Sequence, residues 1–363
     1  MSALGDNLKA LITRDGPIPF ERFMGIALGD PDHGYYQVRD PLGADGDFTT
    51  SPEISQMFGE LIGLWAAEVW QFMGCPNPVR FIELGPGHGT LMSDALRATR
   101  VTPEFRAALD VWLVETSPVL AETQHETLLT CGVAVSWTAD IADTPAGPAI
   151  IIGNEFLDAL PLRQYVRTRA DWRERLVALD ERGEFVFSLA KIPEMSIRAF
   201  APEGAVIEVN PAAHRLVFDV GSRLAKNGGA ALFVDYGYNT TSFGETLQAL
   251  RAHRHVAPLS APGLSDLTAH VDFAAMARSA SAAGAAVYGP LDQGDFLRNI
   301  GIMQRAEVLI ARAAAGQQSE IESGRDRLIG KGQGEMGSLF KAMAIANRNL
   351  TTLPGFQKPE SEA

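Results

Sequence analysis

A short apolar run, Val79 to Leu84, passes through Gly85-Pro86-Gly87-His88-Gly89 into a stretch of helical patterning from Thr90 to Arg100. A strand, a glycine-rich turn and a helix in that order constrain the fold more than any other feature of the chain. Glycines at 85, 87 and 89 let the backbone turn tightly and let a ligand approach where any Cβ would collide. Asp110 to Val114, Ala134 to Ser136, Pro148 to Ile152 and Ala230 to Asp235 read as further strands, and Pro118 to Leu129 and Pro211 to Leu224 as helices. Alternation at this spacing marks a parallel sheet with crossover helices, so the expected class is α/β with a doubly wound sheet.

Other segments surround that pattern. Residues 6 to 15 and 20 to 28 have helical patterning, separated by the extended turn that Pro17 and Pro19 impose. The Gly/Asp-rich stretch from Asp30 to Ser51 holds too many turn formers for a regular element and reads as a functional loop or cap. A helix is expected from Ser51 as N-cap, with Pro52 in its first turn and Ile54, Met57, Phe58, Leu61, Ile62, Trp65 and Val69 on its buried face. Leu162 to Phe187 reads as an antiparallel excursion turning at Glu181-Arg182-Gly183-Glu184. Residues 239 to 265 are polar and loop-like. Asp266 to Ala283 and Gly294 to Ala315 read as helices around a strand at Ala285 to Tyr288, and Phe340 to Ala346 fits a strand or a helix. The expected organisation is a helical cap with its loop (1–75), the first part of the core (76–161), an inserted hairpin and helix (162–226), the rest of the core with helical insertions (227–350) and a disordered tail (351–363).

The chain of 363 residues has room for roughly two domains of about 150 residues. Its net charge of -13 would repel a phosphate backbone, which disfavours general nucleic-acid binding. Cys75 and Cys131 are too few for a disulfide framework and lack zinc spacing. The seven histidines form no HExxH set, so no metal is expected. GxSxG and GxxxxGK[ST] are absent, which removes the main support for a serine hydrolase or a P-loop NTPase. No apolar run reaches the roughly 20 residues of a membrane helix, and the start shows neither a signal sequence nor a transit peptide. The expected compartment is the bacterial cytoplasm, or the mitochondrial matrix for a processed form.

The glycine spacing is GxGxG, whereas a dinucleotide fingerprint needs GxGxxG. Glu83, two residues before the first glycine, would repel a pyrophosphate and suits a cation, such as the amino group of S-adenosylmethionine. A bare structural turn is the alternative. Glu115 ends the next strand, 26 residues beyond Gly89, where a carboxylate can bind both ribose hydroxyls. The third strand leads to Trp137, Asp140 and Ile141, an aromatic, an acid and an apolar residue for an adenine ring. The fourth ends in Gly153-Asn154-Glu155-Phe156-Leu157-Asp158. There Asn154 could accept a substrate N–H, and Glu155 and Asp158 could hold a guanidinium or ammonium. A helix start with Asn154 as N-cap reads equally well.

Together with Gly16-Pro17-Ile18-Pro19-Phe20, Gly34-Tyr35-Tyr36, Gly46-Asp47-Phe48-Thr49-Thr50-Ser51-Pro52-Glu53, Val234-Asp235-Tyr236-Gly237, Asp266 to Phe273 and Phe296 to Gly301, these motifs resemble the MidA-type methyltransferases. The resemblance implies a class I, Rossmann-like methyltransferase fold with an N-terminal cap and inserted segments, and S-adenosyl-L-methionine as cofactor. It implies that Glu83, Gly85, Pro86, Gly87 and Gly89 form the methionine-end loop and that Glu115 contacts the ribose. Asp140 and Ile141 would face the adenine by the general methyltransferase pattern. Asp47, Thr50, Ser51 and Glu53 would lie in the segment covering the cofactor, and Asn154, Glu155 and Asp158 on the catalytic, substrate side. The mitochondrial members assist assembly of respiratory complex I by symmetrically dimethylating an arginine of a core subunit. The partners implied are therefore a protein substrate, a complex I core subunit or its bacterial equivalent, with a homodimer as a further association. The alternative from another class is a methyltransferase-shaped assembly chaperone that binds its partner without turnover. A nicotinamide-dependent oxidoreductase fits the sheet but not the glycine spacing.

Overall fold

The apolar runs are strands of one eight-stranded sheet in the computed structural model, which describes residues 2–40, 43, 49–314 and 316–356. Its main strands are β1 (Val79–Leu84), β2 (Leu109–Val114), β3 (Val135–Thr138), β4 (Ala149–Asn154), β5 (Gly229–Tyr238), β6 (Ala286–Asp292) and β7 (Phe340–Ala346). They lie in the order β6-β7-β5-β4-β1-β2-β3, with Val271–Asp272 added to the end of β5. β7 runs antiparallel to both neighbours; the pairs from β5 to β3 are parallel. All six residues of β4 are buried, which is why central strands read as unbroken apolar runs rather than alternating ones. The expected α/β class and doubly wound sheet are observed.

The strand order reverses between β1 and β4, the position where open α/β sheets bind ligands beyond the carboxyl ends of their strands. Leu84 pairs with Val114 and Gly153, and Val114 with Thr138, so β1 to β4 end level at one edge. The helices Gln56–Phe72 and Thr90–Ala98 belong to the same unit, which comprises residues 49–157, 216–240 and 271–363. Met57, Phe58, Trp65 and Val69 are buried there with Phe81, Ile150 and Leu232.

The second compact unit takes residues 1–48, 158–215 and 241–270. Its helices are Ala3–Asp15, capped by the Ser2 hydroxyl, and Phe20–Gly29. One sheet pairs Ile18–Pro19, Trp172–Leu179, Arg163–Arg167 and Val206–Val209 in that order, with Phe185–Leu189 paired to Trp172–Leu179. The expected turn at 181–184 is present, held by the Asp180 carboxylate, which accepts the Arg182 and Glu184 N–H groups. Phe20, Phe23, Met24, Tyr35 and Val177 are buried in its core.

Several local expectations are corrected. The helix expected from Ser51 is two: Ser51–Ile54, with Thr50 at the N-cap position, and Gln56–Phe72, with an extended Ser55 between them. The Ser55 hydroxyl accepts the Met57 N–H and starts the second helix, so a capping residue inside the periodic run divides it. Residues 239–265 contain the strands Gln248–Arg251 and Arg254–Val256, and Asp266–Thr268 pairs with the former instead of opening a helix, which begins at Phe273. Gly294–Ala315 is interrupted at Gly301, with helices at Gln293–Asn299 and Ile302–Ile310. Phe340–Ala346 is a strand, and Gln317–Ile329 is a helix the periodicity does not announce. Asn154 does not open a helix; it is the last residue of β4. Among the described residues no helix is long and apolar enough to cross a membrane. Asp47 and residues 357–363 of the tail lie outside the described residues.

Candidate active site

Gly85 leaves β1 with its N–H on the Val114 carbonyl, 3.0 Å away, and Gly85 and Gly87 both take positive φ, 58° and 56°. A Cβ at Gly85 would stand 2.5 Å from the Phe156 ring, so glycine is required there by space as well as by conformation. Glu83 is 3% exposed. It accepts the Met92 backbone N–H, while Oε2 is buried with no hydrogen-bond partner among the described residues. Burial pushes its carboxyl up to about 8 against that one hydrogen bond. A buried acid with an unsatisfied oxygen can accept a cationic partner.

Glu115 follows β2 and donates its N–H to Thr138 at 2.9 Å. Its carboxylate accepts the Thr116 and Ser117 N–H groups at 2.8 and 2.7 Å and the Gln124 amide at 3.0 Å. Burial raises its pKa, and these three hydrogen bonds oppose the rise. Gln124, which has no exposed surface, also donates to the Gly87 carbonyl at 2.8 Å and accepts the Trp137 indole N–H at 3.0 Å. Two acceptors on one side and a donor on the other leave its amide a single orientation. Trp137 stacks on His125, ring centroids 3.7 Å apart. Gln124 therefore joins the ends of β1, β2 and β3, and sequence reading missed it. The signal was available: Leu120, Gln124 and Leu128 are the buried residues of the helix Pro118–Leu128, so a glutamine interrupts an apolar stripe at i, i+4, i+8 spacing. The Asp140 carboxylate accepts the Ala142 N–H at 2.9 Å and caps the short turn Ile141–Asp143.

At the end of β4 the Asn154 amide donates to Glu155 Oε1 at 3.1 Å, and the same oxygen accepts the Ser51 N–H at 2.7 Å. Among the described residues, buried Asn154 Oδ1 has no hydrogen-bond partner. Glu53 accepts the Thr90 hydroxyl at 2.7 Å and lies 3.3 Å from His88 Nδ1. The His88 hydrogen bond, then the Thr90 one, holds its carboxyl below the ordinary range. Thr50 to Glu53 is thereby fastened to the glycine turn and to Glu155. Asp158 falls in the other unit, buried, and its backbone carbonyl accepts the Ala269 N–H. There the Tyr36 hydroxyl donates to Asp266 at 2.8 Å. Burial first, then the Asp266 and Asp158 charges, hold that phenol well above its usual value.

A buried acid, a carboxylate and an amide–carboxylate pair at the carboxyl ends of parallel strands mark an α/β protein of the class that binds its ligand at the switch point of the sheet. Residues 61–291 match the family described as "Putative S-adenosyl-L-methionine-dependent methyltransferase". The chain is 36% identical to "Protein arginine methyltransferase NDUFAF7, mitochondrial" of Danio rerio over 370 residues, which cover 94% of this chain and 86% of that one. The human protein of the same name is 35% identical over 361 residues, 92% of this chain and 81% of its own. A crystal structure from Burkholderia thailandensis bound to S-adenosyl-homocysteine is 32% identical and superposes with a TM-score of 0.86, covering 97% of this chain and 94% of that one. The chain belongs to the MidA-type family of S-adenosylmethionine-dependent methyltransferases.

Proposed function

We propose that this enzyme transfers a methyl group from S-adenosylmethionine to an arginine side chain of a partner protein. The observation that carries the reading is the Asn154–Glu155 pair, in which a buried amide oxygen without a hydrogen-bond partner among the described residues stands beside a carboxylate that accepts the Ser51 N–H. An acceptor oxygen and an anion side by side suit a guanidinium, which is planar, cationic and made of donors only. The names of the relatives, protein arginine methyltransferases, support the same acceptor.

In this reading Glu83 and the turn Gly85, Pro86, Gly87 and Gly89 hold the methionine end, Glu115 the ribose, and Asp140 and Ile141 the adenine. Thr50, Ser51 and Glu53 cover the site. The cofactor supplies an electrophilic methyl on a sulfonium. Asn154 and Glu155 orient the guanidinium by charge-assisted hydrogen bonds. The guanidinium is too weak an acid to be deprotonated beforehand, so the carboxylate stabilises the cation and the N–H proton passes to solvent water during or after transfer. The finer acceptor we assign, an arginine of a respiratory complex I core subunit or its bacterial equivalent, dimethylated symmetrically, rests on the family resemblance.

The test is incubation with tritiated S-adenosylmethionine and a protein extract, followed by acid hydrolysis and separation of methylated amino acids. Label in methylarginines, absent with Gly87→Val, is the expected result. Label in another amino acid rejects arginine as the acceptor, and binding of S-adenosylhomocysteine with no label at all favours a chaperone.

A further inference from the structure

Glu155 has φ of 49°, a left-handed conformation that is strained for a non-glycine residue and persists only where its surroundings enforce it. The enforcing group is on the neighbouring strand. Asp235, 1% exposed in β5, accepts the backbone N–H groups of Phe156 and Leu157 at one carboxylate oxygen, 3.1 and 2.9 Å, and that of Tyr236 at the other, 3.0 Å. The residue before it, Val234, accepts the Glu155 N–H at 2.8 Å. The turn carrying Glu155 is thus hung on β5 at three consecutive N–H groups, two of them on a single side chain.

We infer that Asp235 is a positioning residue for methyl transfer: it fixes the turn that aims Glu155 at the acceptor, and it does so without touching acceptor or cofactor. The inference rests on the substrate-side role given to Glu155 above. Asparagine has nearly the same shape, but it offers one acceptor oxygen where Asp235 uses two and no charge where three N–H dipoles converge. Either Tyr236 or the Phe156–Leu157 pair then faces an amide NH2 instead of an oxygen. The turn loosens while the glycine loop, Glu115 and Gln124 stay as they are.

The experiment compares wild type, Asp235→Asn, Glu155→Gly and the double variant. Total tritium transferred to extract protein, S-adenosylhomocysteine affinity by calorimetry, and amide hydrogen exchange at residues 156 and 157 are read for each. Asp235→Asn is expected to lower transfer at least thirtyfold, to leave affinity within threefold and to speed exchange at both amides at least tenfold. In the Glu155→Gly background it should lower transfer less than threefold further, because the residue through which it acts is already gone. Multiplying losses in the double variant, transfer in Asp235→Asn within threefold of wild type, or an affinity loss equal to the transfer loss would each overturn the inference. If Asp235→Asn does not fold, Asp235→Ser, which keeps one acceptor oxygen, takes its place under the same criteria. The total label decides for Asp235 and the hydrolysate decides for arginine, so the two claims fail separately. Should wild type label nothing, unchanged exchange at residues 156 and 157 in the variant overturns the inference, and faster exchange at unchanged affinity upholds it.

Discussion

The Gln124 amide donates to the Glu115 carboxylate at 3.0 Å while donating also to the Gly87 carbonyl, so the acid at the end of β2 and the glycine turn share one buried donor. Gln124→Leu leaves both acceptors and the Trp137 indole without that partner, at about 1–3 kcal/mol for each buried group left unsatisfied. We expect S-adenosylhomocysteine affinity to fall by roughly ten- to a hundredfold in calorimetry. An unchanged Kd would show that the network does not shape the cofactor site.

Glu155 is expected to act in two ways that one pair of variants separates. Glu155→Gln keeps an oxygen to accept the Ser51 N–H, so cofactor affinity should stay within a fewfold while turnover falls to a measurable remnant about a hundredfold lower. Glu155→Ala removes the acceptor as well, and affinity should fall by a further factor of about five to ten. Wild-type turnover in the glutamine variant would remove Glu155 from the chemistry.

Cofactor binding should release a proton. With its carboxyl pushed up to about 8, Glu83 is mostly protonated at pH 7 in the free protein, and a bound ammonium favours its ionised form. Affinity should therefore rise between pH 6 and 8, by up to about tenfold per unit, and level off above. The free protein responds oppositely. Its folded pKa lies above the unfolded one near 4.5, so the contribution is fully present below 4.5 and is lost as pH rises toward 8, on the order of 1 kcal/mol per unit. Calorimetry in phosphate and Tris buffers would detect the released proton; identical apparent enthalpies after correction for nothing but dilution, or a Glu83→Gln variant with the same pH profile, would contradict the assignment.

Gly85→Ala drives a Cβ to within 2.5 Å of the Phe156 ring at a positive φ. A loss of about 1–3 kcal/mol in denaturant unfolding is expected, together with cofactor binding. Shortening the ring in Gly85→Ala/Phe156→Leu should restore part of the stability, since it removes the clash and leaves only the backbone strain. No recovery would place the cost in the backbone alone.

Much of the sheet is legible in the sequence because its central strands are buried on both faces: Ile150, Ile151 and Ile152 announce β4 without any knowledge of its neighbours. The glycine turn is legible because Gly85 and Gly87 have conformations other residues avoid. What escapes is set by partners distant in the chain. Asp266–Thr268 looks helical until Gln248–Leu250 is known to pair with it. Ser55 divides a periodic helix through a local hydrogen bond that periodicity cannot register. Asp235 gains its role only across the strand pair Val234–Asn154. Asn154, Glu155 and Asp158 look like one group because they are adjacent in sequence, whereas the compact units divide them after Leu157.

The antiparallel β7 has a consequence for synthesis. It lies between β5 and β6, yet it is translated after both, and Ala346 pairs with Ala230, 116 residues earlier. Until the ribosome has passed residue 346, β5 and β6 each present an unpaired edge, and an edge of that length is a template for pairing with another chain. A nonsense codon shortly before Phe340 should therefore yield an insoluble product rather than a smaller enzyme, even though every residue assigned to the cofactor has already been made.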